Sequence, residues 1–401
     1  MREPGPIGDV PEREIEFPTG IRADVAIVGA GVIGCSLARE LAGRGREVVV
    51  IDRRHPGAEA SSAAAGLLSP QNEARGRNPF FDLGLESREL HASLAEELAA
   101  ETGVAVGYRR CGILRCTFAE EGRLWREFGW QAESALGLEV ADRAAAASWS
   151  AERVSPHVSE SLFFPNEAIV DGARLTQALA LSAERRGARI LRGVSALRFL
   201  LRGGACLGVD TDHGLIEAGQ TVDAAGAWAS FDSGLPFAVP VVPIRGQMVE
   251  LQTAGRELPV VVQSDSVYLV PRAGGSVLAG ATLERVGFHK QVTARGITEL
   301  IGAAVALVPD LAEAAFVRAW AGLRPGTPDE WPILGPTPVP GLFLATGHYR
   351  NGILLAPITA RLLADLLTGA TTRDLTPFSI ARFADFSPSP SLSAAPPQVF
   401  G

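Results

Sequence analysis

The residues best suited to chemistry lie near the C-terminus, in the run Thr346-Gly347-His348-Tyr349-Arg350-Asn351-Gly352-Ile353-Leu354-Leu355-Ala356-Pro357. Gly347 and Gly352 let the backbone approach a ligand closely, and Arg350 offers a permanently charged fork that matches a carboxylate. A second arginine, Arg324, sits in Trp320-Ala321-Gly322-Leu323-Arg324-Pro325-Gly326-Thr327, a stretch punctuated by Gly and Pro. Each arginine has a plain alternative, a surface loop or a surface ion pair, and local pattern alone leaves both open. His348 could take a proton, but beside a glycine turn it is read first as a structural hydrogen-bond donor. His55, His91, His157, His213 and His289 show no ligand spacing, so no metal is expected.

The elements that would position these residues can be read on both sides of the turn. The apolar run at 341–345 is expected to be a buried strand, and from Pro357 onward Ile358, Leu362, Leu363 and Leu366 share one helical face. The unit is strand, tight polar turn, helix, with the positive helix end aimed at the turn.

A second glycine motif stands at the other end of the chain. The β-prone run at 23–28 leads into Gly29-Ala30-Gly31-Val32-Ile33-Gly34, a helix extends through Leu41, and Val48-Val49-Val50-Ile51 ends at Asp52. This is a complete βαβ unit. Gly29 permits the tight turn, Gly31 lets the backbone approach a pyrophosphate, Gly34 lets helix and strand pack closely, and Asp52 is spaced to accept ribose hydroxyls. Downstream, Glu59-Ala60-Ser61-Ser62-Ala63-Ala64-Ala65-Gly66-Leu67-Leu68 supplies small residues and hydroxyls for a backbone laid against a pyrophosphate and a flat ring system. The same run also reads as a helix start with Ser61 or Ser62 as N-cap.

Bulk properties narrow the partners. The 401 residues suffice for two domains or one large domain with a lobe, and a net charge of -8 without basic clusters argues against nucleic acid or an anionic membrane. No apolar run reaches the length of a membrane span, and residues 1–22 lack the apolar core of a signal peptide. Cys35, Cys111, Cys116 and Cys206 form neither a metal pattern nor a disulfide framework, which points to the reducing cytoplasm.

Taken together, residues 29–52, 61–68, Tyr268-Leu269-Val270-Pro271-Arg272, 320–327 and 347–357 resemble the glycine oxidases, within the D-amino-acid oxidase family of FAD-dependent amine oxidases. The resemblance runs in order from about residue 24 to 383. It implies an α/β, two-domain fold in which a Rossmann-like FAD domain, of the glutathione-reductase type, interleaves with an antiparallel-sheet substrate domain. On that reading FAD takes segments 23–80, 151–235 and 319–385, the substrate domain takes 81–150 and 236–318, and the ends at 1–22 and 386–401 are flexible. Helices are expected from Pro79 to Thr102 and after an Asp171 cap, and strands at 188–191, 208–211, 221–228, 241–251 and 266–278, with the small residues that end 221–228 resembling a second cofactor contact.

The resemblance also assigns roles. Arg324 becomes the main carboxylate clamp, Arg350 a second contact and Tyr268 a hydroxyl donor, while Ser266, Leu283 and Leu68 shape the pocket. FAD contacts are implied at Gly29, Gly31, Val32, Ile33, Gly34, Asp52, Arg53, Ala60, Ser61, Ala65, Gly66, Leu67 and Ala196, and again at His348, Tyr349, Arg350, Asn351, Gly352, Ile353 and Leu354. The amides of 348–354 would stabilise reduced flavin at N1 and the C2 carbonyl, so no general base is required. The implied reaction moves a hydride from Cα of glycine to flavin N5, with O2 reoxidising the flavin. Imine hydrolysis or supply of the thiazole ring of thiamine would follow, in a homotetramer. Ser266 and Leu283 depart from the histidine and methionine of the best-known pattern, which could admit sarcosine or a small D-amino acid. A quinone-coupled dehydrogenase and a non-catalytic flavin-binding protein are the competing readings.

Overall fold

The computed structural model describes residues 20–384 apart from 135, 230–233, 256 and 371–372. Most of both terminal segments expected to be flexible lies outside that range. Among the described residues, strand β1 (Ile21–Val28), helix α1 (Val32–Gly43) and strand β2 (Val48–Asp52) form the βαβ unit read from the sequence. β1 pairs in parallel with β2 on one side and with Gly214–Asp223 on the other. Parallel pairing continues to Arg189–Arg192 and to Leu342–Thr346. The strands Ala196–Arg202, Ala205–Thr211 and Ile333–Pro336 extend this eight-stranded sheet with antiparallel pairs. Both neighbours of β1 run parallel to it, so the ends of all three open on one crevice, where α/β sheets bind their ligands.

Helices cover this sheet because their apolar faces match it. The helix Gly172–Arg185 is capped by Asp171, whose carboxylate accepts from the Arg174 amide at 3.0 Å, as its sequence predicts. The helix Pro79–Thr102 starts at an Asn78 cap and stops at Gly103, which has φ +75°. Both pack with α1 and the helix Gly352–Leu367 around Leu37, Leu83, Leu179 and Leu355, all fully buried or nearly so.

A second eight-stranded sheet runs in the order Ala315–Gly326, Val242–Gln252, Ser276–Gly280, Tyr268–Pro271, Val261–Gln263, Ile113–Thr117, Glu160–Phe164, Glu139–Ala141. Every neighbouring pair is antiparallel except Val261–Gln263 with Ile113–Thr117, which is parallel. The expected single strand at 266–278 is two, folded on each other. The chain pairs within this sheet through Phe164 and again through Gly326, later along the sequence than the expected boundaries at 150/151 and 318/319. Among the described residues no helix is long and apolar enough to cross a membrane, and no cluster of three His, Cys, Asp or Glu could hold a metal.

Candidate functional site

The glycines of the first motif are fixed by sterics. Gly29 has φ +106°, and a Cβ there would stand 2.5 Å from the Ala224 carbonyl oxygen; one on Gly34 would stand 1.9 Å from that of Gly29. Neither position tolerates a side chain, so β1, α1 and the Asp223–Ala225 strand end pack at backbone contact. Asp52 closes the motif. One carboxylate oxygen accepts from the Ala30 amide at 2.8 Å and the other from Arg54 at 2.8 Å, and burial raises its pKa against those two bonds. Arg53 lies over the Trp228 ring at 4.3 Å and reaches Glu59 at 3.3 Å.

Ser61 does not cap the following helix. Glu59 precedes the single turn Ala60–Ala63, and the Ser61 hydroxyl accepts from the Val32 amide at 2.9 Å, at the first turn of α1. Ser62 donates to the Gly57 carbonyl at 2.6 Å. The two hydroxyls thus tie this small-residue segment to the glycine turn, which a sequence pattern of local caps cannot reveal.

A single cleft runs from this turn to the second sheet. Gly31, Val32, Ile33, Ala60, Ser61, Ala65, Gly66 and Leu67 line it at one end, Tyr268 and Arg324 at the other, and residues 348–353 along the wall between. Leu354 lines the adjoining outer chamber instead. Gly29, Gly34, Asp52 and Arg53 are not among its lining residues, and Asp52 joins the glycine turn beside it through the Ala30 amide. Ser266 is exposed in a turn, Leu283 is 55% exposed, Leu68 is buried in the core, and none of the three lines the cleft. Ala196 pairs with Thr211 at the sheet edge; the contact with the end of β2 belongs to Val194, whose amide donates to the Asp52 carbonyl at 3.0 Å.

Arg324 lies on the strand Ala315–Gly326, opposite Ile244. Its Nη1 donates to the Thr282 carbonyl at 3.1 Å, and it has no carboxylate partner among the described residues. Gly246 makes its place: a Cβ there would fall 2.3 Å from both Nη atoms. Tyr268 donates to Met248 Sδ at 3.3 Å, and a Cβ on Gly280 would collide with both side chains. Burial raises the Tyr268 pKa, opposed by Arg324, so the phenol stays a donor. Arg350 is differently placed. It is half-exposed, 3.8 Å from Glu73 and 3.7 Å from Glu330, and Glu73 also accepts from Asn351 Nδ2 at 3.3 Å. Gly246, Met248 and Glu73 were not singled out by sequence, whereas Ala224 and Gly226, which line the cleft, belong to the small-residue strand end at 221–228 that resembles a second cofactor contact. Only the glycine inside a strand offered a signal, since interior strand glycines mark close approach.

The turn that carries Arg350 is held from three sides. Tyr349 has φ +47°, a strained value for a tyrosine, and its amide donates to the Pro325 carbonyl at 2.9 Å. The Asn351 amide is taken by His348. The expected row of open amides is therefore shorter than 348–354. Gly352 and Ile353 begin the helix Gly352–Leu367 and line the cleft, Asn351 supplies no side-chain cap, and their amides have no acceptor among the described residues. His348 is buried and bonded to the Thr359 hydroxyl at 3.1 Å, with its pKa lowered by burial to about 3. It is a neutral structural ring, not a base at neutral pH.

The small-residue segment, the Gly31 approach and the open helix amides fit a dinucleotide with an extended flat ring. The family described as FAD dependent oxidoreductase matches residues 24–366. A bifunctional protein ThiO/ThiG of Nostoc sp. is 40% identical over 86% of this chain and 52% of its own length. The chain thus spans about half the length of that relative. The glycine oxidase of Geobacillus kaustophilus is 36% identical over 90% of this chain and 97% of its own length. The crystal structure of glycine oxidase from that species matches with a TM-score of 0.87 at 35% identity, covering 90% of this chain and 99% of that one. Iminodiacetate oxidase of Chelativorans sp. BNC1 matches with a TM-score of 0.81 at 29% identity, covering 88% and 98%.

Proposed function

This chain belongs to the family of FAD-dependent oxidoreductases, and from that premise we propose that it oxidises glycine with O2, giving glyoxylate, ammonia and hydrogen peroxide after hydrolysis of the imine by water. Sarcosine and small D-amino acids are further candidate substrates. The observation that carries the reading is Arg324: a guanidinium without a carboxylate partner, set over Gly246 in the cleft that Tyr268 also lines. A permanently charged fork in a part-buried site is suited to hold the substrate carboxylate. Tyr268 adds a hydroxyl, and Arg350 a second charge once it turns from Glu73 and Glu330.

FAD, when bound, supplies the two-electron acceptor and delivers the electrons to O2. Ser61, Gly31 and the small residues at 63–66 are the proposed hold on its pyrophosphate and ring, and Asp52 on its ribose. The amides of Gly352 and Ile353, at the positive end of the helix, supply partial positive charge beside the ring. No side chain in the cleft need act as base, since the amine loses its proton to water and His348 is bonded away from it. Orientation by Arg324 and Tyr268 is this chain's own contribution to rate.

The similarity to the bifunctional ThiO/ThiG proteins supports one fate for the imine, supply of the thiazole ring of thiamine. We place the protein in the cytoplasm, a reading supported by four free cysteines, and expect a homotetramer, which light scattering would test. The decisive assay loads the purified chain with FAD and measures peroxide with glycine, sarcosine and D-alanine. Peroxide from glycine is the expected result. Flavin bleaching without peroxide would mean a quinone-coupled dehydrogenase, and a chain that takes up no FAD would overturn the assignment.

A further inference from the structure

Between the strand Ser276–Gly280 and the helix Ala294–Leu307, residues 281–293 leave the second sheet and reach across the crevice to the first. The root of this strap is held from the substrate side. Thr282 accepts the Arg324 bond through its carbonyl, and its hydroxyl accepts from the Gln247 amide at 2.9 Å and donates to Glu284 at 2.6 Å. Arg245, buried, pairs with Glu284 at 2.5 Å and donates to the carbonyls of Gln291 at 2.9 Å and His289 at 3.3 Å. Gln247, fully buried, donates to Glu284 at 2.7 Å and accepts from the Thr293 amide at 2.8 Å. Two buried side chains thus fix the shape of the strap through its backbone, which leaves its tip little freedom.

The tip docks on the dinucleotide side. Phe288 packs on Trp228 with ring centroids 5.4 Å apart, and Trp228 also carries the Arg53 guanidinium. Lys290 Nζ meets Glu59 Oε2 at 2.5 Å, and the other Glu59 oxygen takes Arg53 at 3.3 Å and Arg54 at 3.5 Å. Glu59 immediately precedes Ala60–Ala63, the turn whose Ser61 hydroxyl holds the Val32 amide and whose residues line the cleft. Lys290 is the only lysine in the 401 residues. Every other fixed side-chain cation in this chain is an arginine.

We propose that Lys290 is a positioning residue for the flavin dinucleotide: through Glu59 it fastens the strap across the crevice and holds the Ala60–Ala63 turn where the pyrophosphate needs it. The ammonium acts as a point charge on a flexible stem, so it can follow Glu59 while the strap backbone stays fixed by Arg245 and Gln247. This inference rests on the cleft being the FAD site. Its test reads FAD binding directly and needs no turnover.

The full chain, its Lys290→Met variant and its Lys290→Arg variant are loaded with FAD, and flavin fluorescence gives the dissociation constant and the rate of FAD loss on dilution. Lys290→Met keeps the apolar stem and removes the charge. It is expected to weaken FAD binding about five- to tenfold, the range of a part-buried charge-assisted contact, with Lys290→Arg close to wild type. At saturating FAD the KM for glycine should be unchanged in both, since Lys290 touches no substrate residue, and circular dichroism checks that the variants fold. Retention of FAD by Lys290→Met equal to wild type overturns the proposal, as does a loss that Lys290→Arg does not restore. A chain that binds FAD yet yields no peroxide from glycine leaves this result standing; one that binds no FAD sinks both readings.

Discussion

At the scale of single residues, the site is decided by what each charge already touches. Arg324 and Arg350 look alike in sequence, but Arg350 stands between Glu73 and Glu330 while Arg324 bonds the Thr282 carbonyl and has no carboxylate partner among the described residues. The uncommitted one is the better clamp, because a carboxylate binding there displaces no ion pair. Arg324→Ala should raise the KM for glycine roughly 10- to 100-fold, since a hydrogen bond to a charged group contributes about 1.5–3 kcal/mol. Flavin absorbance should survive, and steady-state kinetics beside a visible spectrum would check both. Gly246→Ala should act in the same direction by pushing the guanidinium away, a result no surface position would give. Unchanged kinetics in both variants would remove Arg324 from the site.

At the scale of elements, the helix Gly352–Leu367 contains the apolar face read from Pro357 onward but begins five residues earlier, at Gly352, and carries Pro357 inside. Proline lacks the amide that would bond Ile353, four residues back. The neighbouring helix bonds the next carbonyl along: Ser87 donates to Leu354 at 2.6 Å, and the His91 ring lies 3.0 Å from the same oxygen. Buried and neutral, His91 has its pKa lowered by burial to about 4, below the ordinary value near 6.5. The unfolded chain therefore binds a proton that the folded one refuses. The stability that follows is complete above about pH 6.5 and is lost as pH falls through about 4, with His348 adding the same slope down to about 3. Between pH 6.5 and 4 the urea midpoint of wild type should drop more steeply than that of His91→Asn. Parallel curves would show that His91 does not report on the fold.

At the scale of the whole molecule, cofactor and fold are linked, because the cleft is walled by both sheets and closed by the Trp320 bond to the Ala63 carbonyl at 3.1 Å. FAD binding to the folded chain alone should therefore raise Tm, by an amount equivalent to about 2.7 kcal/mol at one hundred times Kd. Calorimetry of stripped and reloaded protein would measure it, and a Tm indifferent to FAD would mean the ligand lies outside this cleft. The sequence by itself determined the βαβ unit with its glycines and Asp52, the Asp171-capped helix, and the strand, turn and helix around Arg350. Those features depend on periodicity, caps and sterics between near neighbours, which the order of residues states directly. It also carried the family, since the separated motifs keep their order along the chain. Only the tertiary structure decided that Ser61 serves Val32 instead of its own helix, that Gly246 makes room for Arg324, that Val194 meets the end of β2, and that Ser266 and Leu283 are not among the residues lining the cleft. Each of these joins residues far apart in sequence through one backbone contact or one side-chain direction, and neither leaves a periodic trace in the order of amino acids.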